Sequence, residues 1–320
     1  MFFCNTLIGS DYNTVTSSDI SAEYAVNDGN RRCIDYPAVN FYNDLFYFME
    51  YSGEMFSTAD GKTFTFLYDI YDLANSAQIT TTAVLNNEVC YFGKNNFGKV
   101  YICGKDANTL NTIGNYDGGR LTQAIYTDKY LVVGYDGNNN GTIRTSNDFS
   151  TWSEPTVINS AINTVCFNDN FYIFGCENGN VYTSLDGVNL SGAISTPATN
   201  IRKIIYTLNQ YVAIGEHDII VSANGSNWVK VKSFNSYSLV DIAYYEHKFV
   251  IVAANGTSTV VISTLDLKKY TETTFNGRST YSTTIYPNNR VAAGNGRFVI
   301  GFKGTTGDEQ SGSRYMIWSI

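Results

Sequence analysis

Charge is scarce in this chain: only 16% of its 320 residues are Asp, Glu, Lys or Arg, where soluble domains average roughly 25%. The balance is acidic, with a formal net charge of −8. An acidic surface lacks the Lys and Arg that neutralise phosphates, which argues against sequence-independent binding to nucleic acid. It argues equally against docking on an anionic membrane. No apolar run reaches the roughly 18 residues that a bilayer span requires, so no membrane insertion is expected. The stretch Met1 to Leu7 has no basic start and too short an apolar core for a signal peptide, and none is expected.

Histidine is scarcer still. His217 and His247 are the only two, which excludes a multi-histidine metal site and leaves little room for a histidine-based catalytic triad. No GxGxxG or Walker-type loop stands between a strand and a helix, so no nucleotide cofactor is expected. We expect no cofactor, no metal site and no catalytic residue set. The six cysteines show no CxxC spacing. Cys90, Cys103 and Cys166 fall inside apolar strand patterns and read as small, reduced core residues.

Proline and methionine are rare, at 4 each, whereas 25 Tyr, 19 Phe and 27 Gly are present. Aromatics suit a pleated, half-buried surface and glycine supplies positive φ, so the composition reads as strands joined by tight turns. The order of those strands repeats. Val165 to Gly175 holds two apolar strands around an Asn-Asp turn, and Val181 to Gly187 adds a third strand ending in a Ser-x-Asp-Gly corner. The same order recurs at Ala124 to Gly134 with Asp148, and at Ile204 to Gly215 with Asn224. Further copies surround Phe41 to Phe48, Val84 to Gly93 and Ile242 to Ala253.

The corner residues Asp60, Asp106, Asp148, Asp186, Asn224 and Asp266 are 46, 42, 38, 38 and 42 residues apart. A unit of about 40 residues with three or four short strands is one blade of a β-propeller. Partial copies at the two ends, around Asp19 and from Val291 to Ser319, would join into one more blade with the N-terminal segment as its fourth strand. The expected fold is therefore all-β: a single domain, 1–320, forming a seven-bladed propeller of four-stranded antiparallel blades closed by its terminal strands. Residues 1–18 look like a spare strand pair, which keeps an eight-bladed ring as the alternative.

The Ser-x-Asp-Gly-x-x-aromatic corner resembles the Asp-box, or BNR repeat, of the sialidase-like propellers. Thr58 to Phe64, Ser184 to Leu190 and Ser222 to Trp228 match best, while Phe149 and Leu267 replace the glycine after Asp148 and Asp266. Physically, the corner carboxylate accepts bonds from its own turn, and carboxylates spread around a ring cannot converge on one site. The resemblance implies ligand sites on the opposite face, in the turns between second and third strands and between blades. Tyr116, Asp117, Arg120, Asp136, Asn138, Glu177 and Asn178 occupy such turns and suit sugar hydroxyls, although Asn-Gly and Asp-Gly also serve plain hairpins. None of the nine arginines stands in the Arg-Ile-Pro signature of sialidases, so that activity is not expected. Asp117 and Asp136 are the carboxylates that a glycosidase would need to set opposite one another.

The 35 Asn, with abundant Thr and Tyr and little His or Pro, resemble the composition of bacteriophage tail and surface proteins. The expected function is a non-enzymatic structural and recognition propeller of a virion, with other virion or scaffold proteins or a host-surface glycan as partner. The alternative is a soluble glycan-binding or glycoside-hydrolysing propeller. The expected location is the virion if the chain is phage-encoded, and the cytoplasm otherwise.

Overall fold

The computed structural model describes residues 20–25, 38–50, 53–60, 63–70, 78–95, 99–256, 258–276, 290–303 and 313–319. Its strands form seven four-stranded sheets, each antiparallel throughout. The first blade shows the plan: Ala38–Tyr42, Leu45–Met49, Glu54–Thr58 and Thr65–Asp69 follow one another from the axis outward. The innermost strands of the others are Gln78–Leu85, Arg120–Tyr126, Ile162–Phe167, Lys203–Thr207, Ser238–Tyr245 and Val291–Gly294. Each of the seven touches the next, and Val291–Gly294 touches Ala38–Tyr42, so the ring closes.

Six blades, not seven, are continuous in sequence. The remaining sheet is composite: Val291–Gly294, Arg297–Lys303 and Ser313–Ser319 come from one end of the chain, and Ile20–Ala25 pairs with Ser313–Ser319 as the outermost strand. The expected count of seven blades, with eight as the alternative, is corrected to six continuous blades and one sheet shared by the two ends of the chain. No eighth sheet occurs among the described residues. Residues 1–18, the proposed spare strand pair, and Asp19 lie outside them.

Local chemistry explains the hairpins. Asn43-Asp44, Asn86-Asn87, Leu208-Asn209, Glu246-His247 and Asn295-Gly296 all have positive φ at both positions, which is what a two-residue turn matched to strand twist demands. The second strands are buried on both sides because blades cover both of their faces. Tyr172–Cys176 is buried at every residue and Tyr130–Tyr135 at all but the last. That double burial explains the runs of Tyr, Phe, Val and Ile without alternating charge.

Side chains also stitch the blades together at the repeat distance. The Thr80 hydroxyl donates to Leu121 O at 2.7 Å, and Thr122 does the same to Ile162 O at 2.8 Å. Cys90, Cys103, Cys166 and Cys176 are free and buried, as a core role requires. Cys4 and Cys33 lie outside the described residues.

Candidate recognition face

Antiparallel order puts the turns after the first and third strands of each blade at one end of the ring. The turns after the second strand and the crossovers between blades lie at the other. The corner residues occupy the first end, and their geometry repeats closely. Oδ1 of Asp148 accepts from the amides of Ser150 at 2.9 Å and Thr151 at 2.7 Å, and from the Ser146 hydroxyl at 3.0 Å. Asp186 accepts from Val188, Asn189 and Ser184 in the same way, and Asn224 from Ser226, Asn227 and Ser222. Asp266 is bound by Lys268, Lys269 and Thr264, Asp106 by Asn108 and Thr109, and Asp60 by Thr58 and Thr63.

Backbone amides hold the carboxyls of Asp148 and Asp186 well below the ordinary carboxylate range. For Asp106 and Asp266, burial pushes the other way but the turn amides outweigh it. These carboxylates are spent on their own turns.

The residue after the corner side chain is left-handed at four corners: Gly187 and Gly225 have φ of 76° and 75°, and Phe149 and Leu267, which stand where those corners have glycine, have 65° and 56°. A left-handed non-glycine residue costs about 1–2 kcal/mol, which burying a Phe or Leu side chain, at about 1.5–3 kcal/mol, offsets. Phe149 packs edge-on to Phe92 of the preceding blade at 5.8 Å. The corner aromatic then secures the turn: Trp152 Nε1 donates to Phe149 O at 3.3 Å, Trp228 Nε1 to Gly225 O at 3.0 Å, and Tyr270 Oη to Leu267 O at 2.6 Å.

The opposite face carries the candidate binding residues, and most of them adjoin. Tyr101 donates to Asp117 Oδ1 at 2.7 Å, and the Gly119 amide donates to the same oxygen at 3.1 Å. Lys94 Nζ donates to Tyr116 Oη at 2.8 Å and lies 4.3 Å from its ring centroid. The Asp117 loop lies directly against the next turn, since a Cβ built on Gly137 would stand 2.1 Å from Asp117 O. In that turn Asp136 Oδ1 accepts the amides of Asn138 and Asn140. Burial opposes ionisation of Asp136, but the side chain and amide of Asn140 outweigh it and lower its pKa.

Asn139 Nδ2 then bridges to Glu177 Oε2 of the following blade. Next to it, the Asn178 amide donates to Ser160 Oγ at 3.2 Å, and Asn178 Oδ1 accepts from the Asn180 amide at 3.1 Å. Tyr116, Asp117, Asp136, Asn138, Glu177 and Asn178 thus form one strip over three successive blades. Asp117 and Asp136 lie side by side on adjoining loops and are not set across a cleft from each other. Arg120 differs from its loop assignment: it opens the innermost strand, pairs with Tyr135, and buries Nε and Nη2. Asn96, Phe97 and Gly98, of the turn that begins at Lys94, lie outside the described residues.

Two features escaped sequence reading. One extends the strip to the fifth blade, where Arg202 Nη2, Asn200 Nδ2 and Ser238 Oγ all donate to the Glu216 carboxylate. Burial of Glu216 is outweighed by the charge of Arg202, and its pKa falls. The other is a cavity of about 410 Å³ on the axis, lined by Asn40, Thr82, Gln123, Lys203 and Asp241 among apolar residues. A signal existed for it: Asn40, Thr82, Gln123, Thr164, Lys203 and Asp241 are polar residues inside apolar innermost strands, spaced 42, 41, 41, 39 and 38 apart. They latch neighbouring blades. Thr164 Oγ1 donates to Gln123 Oε1 at 2.8 Å, and Asp241 Oδ2 accepts the amides of Arg290 at 2.7 Å and Val291 at 3.0 Å. Burial pushes the Asp241 carboxyl up against the opposing effects of Lys203 and those amides.

No described protein family matches the chain, and no curated protein sequence does. Solved structures do match in fold. YCF48 bound to a D1 peptide superposes with a TM-score of 0.61 at 13% identity, covering 98% of both chains. A catalytically inactive virginiamycin B lyase from Staphylococcus aureus with quinupristin gives 0.66 at 10% identity, covering 93% of this chain and 99% of that one. The β-propeller domain of Cps50 (Swd1) from Myceliophteria thermophila gives 0.63 at 10% identity, covering 93% and 100%. At such identities the likeness shows the β-propeller fold alone.

Proposed function

We propose that this chain is a single-domain recognition propeller that binds a partner through the strip from Tyr116 to Asn178 and performs no catalysis. The continuity of that strip carries the reading: the Asn139–Glu177 side-chain bond across one blade seam and the close backbone packing of the Asp117 loop on Gly137 across another hold aromatic, amide and carboxylate groups in fixed positions, and pre-organisation of this kind lowers the entropy cost of binding. A glycosidase acid needs a raised pKa, whereas Asp136 and Glu216 on this face are lowered. Propellers of the same fold, one bound to a peptide and one with quinupristin, support a binding role in general terms.

The corners on the other face are best described as Asp-box repeats in a structural role. The composition rich in Asn, Thr and Tyr favours a virion tail or surface protein, located in the virion, with a host-surface glycan or a neighbouring virion protein as partner. Mass spectrometry of purified particles tests this location: a fixed copy number per particle is expected, and absence from particles overturns it. Incubation with oligosaccharides tests the class, since turnover would convert the reading into the hydrolase alternative.

A further inference from the structure

We infer that Asn255 is a site of spontaneous covalent modification, at which the Gly256 amide converts the asparagine through a succinimide into aspartate and isoaspartate. The Gly256 nitrogen gives its proton to water and bonds to Asn255 Cγ, the Cγ–Nδ2 bond breaks, and ammonia leaves. Water then opens the ring at either carbonyl, so the step balances without an oxidant or a cofactor. The reaction requires a side chain free to swing onto the following amide and a following residue without a Cβ to block the approach.

Six Asn-Gly steps occur in the chain, and their surroundings differ. Asn140 Nδ2 donates to Asp136 Oδ2 at 3.0 Å, and Gly141 is buried in the third strand of its blade. Asn178 Oδ1 accepts the Asn180 amide, and the Gly179 amide donates to Cys176 O at 3.1 Å. Asn224 Oδ1 accepts two turn amides, and the Gly225 amide donates to Ser222 Oγ at 2.9 Å. Asn276 Oδ1 accepts from Ser258 Oγ at 3.2 Å, and Asn295 Nδ2 donates to Asp44 O at 3.3 Å.

Asn255 differs on each count. It ends the second strand of the sixth blade, Lys248–Asn255, at the loop face, and both it and Gly256 are exposed. Among the described residues neither its side chain nor the Gly256 amide has a hydrogen-bond partner. Gly256 has φ of 58°, and a Cβ built on it would meet nothing within 4 Å. Conversion adds a negative charge to the face that carries Asp117, Asp136 and Glu177. The isoaspartate form also lengthens the backbone by one carbon where Asn255 pairs with Ser258.

Incubation of the full chain at about pH 8, with peptide mapping at intervals, tests the assignment, because the amide nitrogen reacts as its anion. The peptide holding Asn255 should gain about 1 Da in two chromatographically distinct products. Its rate should exceed those at Asn140, Asn178 and Asn224 at least tenfold. The same mapping in concentrated urea supplies the unfolded reference, in which those three held steps should speed up strongly while Asn255 stays within about tenfold of its folded rate. A folded rate at Asn255 more than about tenfold below its rate in urea, or less than tenfold above the rates at the three held steps, overturns the proposal.

Discussion

Leu131 Cδ1 stands 2.6 Å from where a Cβ on Gly187 would lie, so the corner of the fourth blade packs so closely on its neighbour that any side chain there would have to displace Leu131. Ile173 Cδ1 holds Gly225 to the same condition at 2.5 Å. Where the corner carries Phe149 or Leu267, the preceding blade receives a side chain into the seam, with Phe92 and Val212 in the respective clusters. The seam therefore distinguishes corners that turn on glycine from corners that fill the interface.

Gly187→Ala and Gly225→Ala should each destabilise the protein by more than about 1 kcal/mol, from a left-handed φ and a close contact acting together. Gly192→Ala, with nothing within 4 Å of the added Cβ, is the neutral comparison. Urea denaturation of the three variants checks the ranking.

Phe149→Ala should cost about 3–5 kcal/mol, the range for a buried aromatic truncation. Phe149→Gly loses the same packing but relieves the left-handed strain, so it should be the more stable of the two. Denaturation midpoints of both variants decide the order.

Leu208 is 48% exposed and sits at φ 50° in a two-residue turn. Asn86-Asn87 makes the same turn with residues that tolerate that backbone. Leu208→Asn should raise stability by about 0.5–1 kcal/mol, read as a higher thermal midpoint.

The corner aspartates set the acid limb of stability. Asp106, Asp148, Asp186 and Asp266 have pKa values below the ordinary 3.8. A depressed carboxylate contributes stability that is present above its unfolded pKa and is lost as pH falls through the folded one. Asp241, raised by burial, has the opposite sign and gains as pH falls into the window above its unfolded value. Denaturation midpoints should drop below about pH 4, and an Asp148→Asn/Asp186→Asn variant should show a shallower drop.

Burial pushes the thiols of Cys90, Cys166 and Cys176 up to about 12, and that of Cys103 further. The thiolate is the reactive form. At pH 8 these four should resist alkylation in the folded protein and react on unfolding, as peptide mapping would show.

The repeat was legible because its corner reuses one chemistry at one phase, an Asx side chain capping its own turn. Even Phe149 and Leu267, which break the glycine pattern, keep that turn. The strip from Tyr116 to Asn178 was legible residue by residue, but the contact between the Asp117 loop and Gly137 depends on how neighbouring blades abut. Arg120 was misread because nothing in its sequence marks where the crossover ends and the strand begins. The axial cavity went unseen since its polar positions repeat in phase while Asn40, Gln123, Lys203 and Asp241 share no residue type. Assembly of the last sheet from both chain ends was legible because each end carries part of the same repeat, with Val291–Gly294 and Arg297–Lys303 in the order of a blade's first two strands.

The central claim is that the strip over the second, third and fourth blades is the recognition surface. Binding of the purified chain to an array of bacterial surface polysaccharides and purified virion proteins, compared between wild type and Asn138→Ala/Glu177→Ala, tests it most directly. The account predicts that wild type binds at least one of these and that the folded double variant binds it at least tenfold more weakly. Wild type binding to none of them, or a double variant that binds as well as wild type, would contradict it.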